Sequence, residues 1–254
     1  MPHLNGIKAV YFDLDDTLCG YWNASKAGLR RAFGEHAPEG VTVEEMVIHW
    51  AEAYREFAPQ VKTERWYEPY LTSGEPTRTE QMHMALRRAG HDDRTRAEAL
   101  SRAYMLYRDA ELQLFEDAID VLTALRGRFE LGLITNGPAD IQRMEIATLG
   151  IGQFFDHVFI EGEMREGKPK PGVFARANEA ARSRPEETVM VGNSFGHDIA
   201  PAIAAGWYGF WIRRDSDVPP SAHPNAKPED RPADSVPPTA TIHALSELLP
   251  WLID

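Results

Sequence analysis

Five short apolar runs constrain the fold of this 254-residue chain more than any other feature. Ile7 to Phe12 stops at Asp13, Leu131 to Ile134 at Thr135, Val158 to Ile160 at Glu161 and Thr188 to Val191 at Gly192; Gly209 to Ile212 is the fifth. None alternates polar with apolar residues, so both faces of each should be buried, as in a parallel sheet covered by helices. Helical patterns lie between them: Ala118, Val121, Leu122 and Leu125 share one face, as do Phe174, Ala177 and Ala181. The repeating order predicts an α/β fold with a doubly wound, Rossmann-like parallel-sheet core.

The stretch from about Tyr21 to Leu114 reads differently, with helical patterns and no strand. Val43, Met46, Val47, Trp50, Ala51, Tyr54, Phe57 and Ala58 mark an amphipathic helix that Pro59 helps to end. Met82, Ala85 and Ala89 mark a second helix, and Ala99, Leu100, Ala103, Tyr104 and Tyr107 a third. Residues 1–20 and 115–254 are therefore expected to form the α/β core, with 21–114 inserted as an all-helical domain. Asp215 to Thr239 is proline-rich and poor in apolar residues, which predicts a long surface loop before a last helix over Ile242 to Leu252.

The net charge of −12 argues against nucleic acid or an anionic membrane as partner. An anionic small molecule stays admissible, because a bound divalent cation and a lysine or two reverse the local field. One cysteine, Cys19, permits no internal disulfide and suits a reducing compartment. With neither a signal peptide nor an apolar span of membrane length, the chain is expected to be soluble and cytoplasmic. Oligomeric state is not readable.

Four segments carry candidate chemistry, each just beyond a strand, where open α/β sheets bind ligands. In Asp13-Leu14-Asp15-Asp16-Thr17, residues two apart in extended chain point the same way, so Asp13 and Asp15 can converge. A carboxylate can attack phosphorus, and a second can protonate the leaving oxygen. The same residues would also serve as an acidic loop holding a metal or capping a helix. Thr135-Asn136-Gly137 offers a hydroxyl and backbone N–H groups to a phosphate, or is simply a turn. In Gly167-Lys168-Pro169-Lys170-Pro171, the prolines stiffen the backbone and can aim one lysine inward, or leave two solvated lysines. Gly192-Asn193-Ser194-Phe195-Gly196-His197-Asp198 supplies an amide and a carboxylate, oxygen ligands that suit Mg²⁺; Asp198 also fits a helix N-cap.

These four motifs, in this order, resemble the haloacid dehalogenase (HAD) superfamily over nearly the whole chain. The resemblance implies Asp13 as nucleophile, Asp15 as general acid and base, and Thr135, with Asn136 beside it, as phosphate binder. Lys168 then matches the third-motif lysine. Mg²⁺ would be held by the Asp13 side chain, the Asp15 backbone carbonyl and the Asp198 side chain. One departure stands out: the fourth motif usually begins Gly-Asp, and here it is Gly192-Asn193, so Asn193 would bring an oxygen but no charge.

The family contains phosphatases and dehalogenases. A dehalogenase needs neither an acid at the Asp15 position nor a metal, so Asp15 and Asp198 favour phosphoryl transfer. The expected function is a Mg²⁺-dependent phosphatase acting on a small phosphomonoester such as a nucleotide, flavin mononucleotide, sugar phosphate or phosphoglycolate. The alternatives are a 2-haloacid dehalogenase-type hydrolase or an inactive binding protein on the same fold. The insert would be a cap that closes over the site, with Tyr21, Trp22 and Asn23 near its hinge. Trp50, Tyr54, Trp66 and Tyr67 either stack on a substrate or form cap core.

Overall fold

Each of the five apolar runs forms a strand in the computed structural model, which describes residues 3–223 and 225–253. They are β1 (Ala9–Phe12), β2 (Glu130–Thr135), β3 (His157–Ile160), β4 (Thr188–Gly192) and β5 (Tyr208–Ile212). A sixth, β6 (Ala240–Ile242), pairs with β5. It ends at Ile242, the first residue of the segment expected to be helical, which beyond it forms a 3₁₀ turn (Leu245–Leu248) and one short helix (Leu249–Leu252). Three residues carry too little periodicity to announce a strand, and only the exposed edge of β5 gives them a partner.

All pairings are parallel, and the spatial order is β3-β2-β1-β4-β5-β6. Strand order reverses beside β1, so the loops after β1, β2 and β4 gather at a topological switch point. Alternate residues feed opposite faces. Val10, Phe12, Leu131, Leu133, Val189 and Val191 pack with helix 118–125 on one face; Ala9, Tyr11, Ile134 and Met190 pack with helix 171–181 on the other. Those helices bury the residues their periodicity marked, Ala118, Val121, Leu122 and Leu125, then Phe174, Ala177 and Ala181, and Val173 besides. Gly132 is required by close approach, because a Cβ there would lie 2.0 Å from the Tyr11 ring, whose hydroxyl donates to Ala177 O at 2.6 Å.

Five helices fill the stretch between β1 and helix 118–125: α1 (Tyr21–His36), α2 (Val43–Phe57), α3 (Glu64–Thr72), α4 (Glu75–Arg88) and α5 (Arg94–Glu111). The sequence patterns had announced α2, α4 and α5. For α1, no marked apolar stripe announces it, yet it packs along α5, where Gly28 brings the two backbones together. Leu29, Phe33, Met46, Trp50, Met82 and Leu100 head an apolar cluster separate from those of the sheet. Thr42 starts α2 with a capping box to Glu45. No helix of the described residues is long and apolar enough to cross a membrane.

Candidate active site

The chain leaves β1 at Asp13, and its nearly buried carboxylate is bound from two sides. Oδ1 accepts from Lys168 Nζ at 2.7 Å, and Oδ2 accepts from the Thr17 hydroxyl at 2.9 Å. Lys168 reaches in from the loop before helix 171–181 and is 2% exposed, while Lys170 is exposed. Its ammonium also donates to Ile134 O at 2.6 Å and lies 2.7 Å from Asp198 Oδ1. Two of its three N–H donors are thus taken by hydrogen bonds, to Asp13 Oδ1 and Ile134 O, while Asp198 Oδ1 is an ion-pair neighbour. Burial works against the Lys168 ammonium, but the Asp13 and Asp198 carboxylates outweigh it and hold its pKa above the ordinary lysine value.

Asp198 sits beyond β4 in a π-helical turn (Phe195–Ile199) and is 1% exposed. Its Oδ2 accepts from Ser194 N at 2.9 Å. Its Oδ1 accepts no well-aligned hydrogen bond and has only the lysine charge beside it. Burial pushes its pKa up to about 7. A Cβ at Gly192 would lie 2.3 Å from Asp198 Oδ2, so glycine at the end of β4 is what lets this carboxylate turn inward.

Asp15 belongs to a second network. Its Oδ2 accepts from Gln142 Nε2 at 3.2 Å. Gln142 is 2% exposed; the same nitrogen donates to Glu145 Oε2 at 2.8 Å, and Oε1 accepts from the Thr135 hydroxyl at 2.5 Å. Glu145 pairs at 2.7 Å with Arg108 of α5. Burial, then the neighbouring Asp13 charge, raise the Asp15 pKa to about 7, which suits a group that must give and take a proton near neutrality.

The structure therefore brings Asp13, Asp15, Lys168 and Asp198 together at one end of the sheet. Thr135 lies there too, with its hydroxyl turned to Gln142. Asn136 does something else: its amide nitrogen donates to Lys168 O at 2.7 Å and its oxygen accepts from Lys168 N at 2.8 Å, clamping the lysine's loop. Asn193 accepts from Thr17 through Oδ1 at 3.3 Å and donates to Asp217 Oδ2 at 2.9 Å. Asp217 comes from the proline-rich segment, which is not merely surface: Ser221 is buried there and its carbonyl accepts from Arg55 at 2.5 Å. Gln142, Glu145, Arg108 and Asp217 carry no motif, and no sequence signal points to them.

The described residues hold no group of three His, Cys, Asp or Glu side chains placed for a metal ion. Asp13, Asp198, the Asn193 amide oxygen and the Asp15 backbone carbonyl are nonetheless all hard oxygen donors. With the unbonded Asp198 Oδ1 among them, the set fits Mg²⁺, which retains waters and takes few carboxylates.

Over these loops lies a cavity of 610 Å³. Asp15, Asn136 and Gln142 line it from the sheet side, and Tyr21, Trp22, Trp50, Tyr54 and Arg78 from the helices. Trp66 instead packs on Phe57, and the Tyr67 hydroxyl donates to Glu161.

A doubly wound parallel sheet with an Asp–Lys–Asp cluster and a third aspartate of raised pKa at its carboxyl edge defines an aspartate-centred α/β enzyme. Residues 7–206 match the haloacid dehalogenase-like hydrolase family, and residues 165–248 match a related HAD-hydrolase-like family. The chain belongs to the haloacid dehalogenase-like hydrolases. Among curated proteins it is similar to rat (Rattus norvegicus) N-acylneuraminate-9-phosphatase, 30% identical over 230 residues that cover 87% of this chain and 88% of that one. Among solved structures, the HAD-hydrolase YfnB from Bacillus subtilis, bound to magnesium, shares the fold with a TM-score of 0.70 at 22% identity, covering 95% of this chain and 96% of that one. A 2-haloacid dehalogenase from Pseudomonas syringae pv. Tomato DC3000 matches with a TM-score of 0.62 at 29% identity over 95% of this chain and 96% of that one.

Proposed function

We propose that the protein is a Mg²⁺-dependent phosphatase that hydrolyses small phosphomonoesters through a phospho-aspartate at Asp13. The observation that carries this reading is Asp15: a carboxyl group with its pKa raised to about 7, next to a nucleophile-grade carboxylate held by a buried lysine. Displacement of halide from carbon needs no acid for its leaving group; displacement of an alkoxide from phosphorus does. The phosphatase relatives support the same reading.

In the first step an oxygen of Asp13 forms a bond to phosphorus while the ester P–O bond breaks, and Asp15 gives its proton to the departing oxygen. In the second, Asp15 takes a proton from water as the water oxygen bonds to phosphorus. The P–O bond to Asp13 then breaks, releasing inorganic phosphate and restoring both carboxyl groups. Lys168 neutralises charge on the transferring group, and loop N–H groups orient its oxygens, joined by the Thr135 hydroxyl once it turns from Gln142 to the bound phosphoryl group. Asn136 positions Lys168. Asp13, the Asp15 carbonyl and Asp198, aided by Asn193, would hold Mg²⁺, which supplies further positive charge to the phosphoryl oxygens when bound.

Residues 21–114 serve in this reading as a cap over the core 1–20 and 115–254, excluding bulk water from the cavity. Lys62 to Glu161 at 2.7 Å and Ser73 to Asp140 at 2.6 Å tie the two parts together. Buried, unpaired Cys19 is compatible with a cytoplasmic setting.

The test is phosphate release from nucleotides, sugar phosphates, phosphoglycolate, phosphoserine and flavin mononucleotide, with Mg²⁺ or a chelator, by wild type and Asp13→Asn. Release that needs Mg²⁺ and falls at least about 10⁴-fold in the variant is expected. Halide release from 2-haloacids without phosphate release would favour the dehalogenase reading that the 29% identical structure keeps in view.

A further inference from the structure

Among the described residues, one long cationic side chain that lines the cavity above Asp15 forms no ion pair. Three long cationic side chains line it: Lys62, Arg78 and Arg108. Lys62 is committed to Glu161 at 2.7 Å, and Arg108 to Glu145 at 2.7 Å and Asp109 at 2.6 Å. Arg78 of α4 donates through Nε to the buried Ser101 hydroxyl at 2.9 Å. Among the described residues no carboxylate pairs with it, and its two terminal nitrogens donate to none of them. The Ser101 bond fixes the plane of the guanidinium and leaves the outer fork free.

We infer that Arg78 binds a carboxylate of the substrate, so the phosphomonoesters this site takes carry a carboxylate group; the inference rests on the phosphatase reading above. A guanidinium taken partly out of water without an ion-pair partner is costly; the Asp140 carboxylate, already held by Ser73 and Gly74, favours its charge only from a distance, and a second cation, Arg108, disfavours it. Burial accordingly pulls the Arg78 pKa below the ordinary arginine value. An anionic ligand offsets that cost, and a planar fork with two free N–H edges matches a carboxylate in bidentate fashion.

The phosphoryl group itself has a different place. It belongs at Asp13 and Lys168 on the sheet, whereas Arg78 is anchored within the helical layer to Ser101, beside Gly74. A second phosphoryl group fits less well, since it carries about −1.5 to −2 charges near neutrality against one uncommitted positive charge, in a cavity that Asp15 also lines. The rest of the helical wall suits a small polar body: Trp22 and Trp50 line it, and the Ser25 and Tyr104 hydroxyls, 2.9 Å apart, offer donors and acceptors.

The experiment compares matched esters, 3-phosphoglycerate with glycerol 3-phosphate and phosphoglycolate with 2-hydroxyethyl phosphate, adding fructose 1,6-bisphosphate as the doubly phosphorylated arm. Wild type, Arg78→Lys and Arg78→Met are assayed. The ratio of kcat/KM for carboxylated over uncarboxylated ester should fall about 100-fold in Arg78→Met, mostly through KM, and less in Arg78→Lys. Equal losses on both members of a pair would mean that Arg78 only supports the fold, and a loss confined to the bisphosphate would assign it to a second phosphoryl group; either overturns the inference. Calorimetric binding of 3-phosphonopropionate and propylphosphonate reads the same contact without turnover. Binding of the former that is weakened at least tenfold relative to the latter in Arg78→Met supports the carboxylate site, and unchanged discrimination overturns it. Intact discrimination with no ester hydrolysed would sink the phosphatase reading alone.

Discussion

The two walls of the cavity treat charge in opposite ways. Beneath the sheet-side wall the ion pairs are built in: Lys168 sits between Asp13 and Asp198, and Glu145 faces Arg108, all of them nearly or fully buried, and Asp15 is held by Gln142. On the helical side Arg78 is left unanswered. A preassembled cluster suits chemistry, because the groups that meet developing charge need no rearrangement as it appears. An unpaired cation suits selection, because its partner arrives with the ligand.

Three substitutions press on that contrast. Lys168→Met leaves Asp13 and Asp198 facing each other without their shared cation, and should lower unfolding free energy by about 3–5 kcal/mol in denaturant titrations. It should abolish turnover as well. Gln142→Leu removes the bond that favours the charged form of Asp15 and should reduce kcat by about 10–100-fold. Asp15, already raised to about 7, then stays protonated to higher pH, so the alkaline limb of kcat/KM should move up. A limb that stays in place would show that Asp15 does not set it. Arg78→Met should change stability by no more than about 1 kcal/mol, because the guanidinium–hydroxyl hydrogen bond that is lost is offset by removing a desolvated charge that has no ion-pair partner. A loss as large as that of Lys168→Met would mean that the two walls are not different in kind.

Much of the core was legible. Strands buried on both faces have no polar alternation to confuse the reading, and the residues where they stop are those that the sheet carries to its edge. Asp13, Lys168 and Asp198 meet there although 155 residues separate the first two. What escaped the sequence has a common cause. Gln142 and Glu145 look like ordinary polar residues of a helix, and only the docking of α5 turns them inward to Arg108. Strand β6 is too short to show a period, and the buried face of helix α1 is made mostly of small residues, Ala24, Ser25, Gly28 and Ala32. Asp217 arrives from a segment whose composition reads as surface, and only the packing of that segment brings it to Asn193.

Local sequence fixed the order of strands and helices, because burial on both faces dictates apolar composition and one-face burial dictates period. It also placed reactive residue types just beyond strand ends. Tertiary structure decided which charges would be paired. Ion pairs and buried hydrogen bonds join residues far apart in the chain, so the same lysine or arginine reads alike in sequence whether it ends against two carboxylates, as Lys168 does, or against none, as Arg78 does.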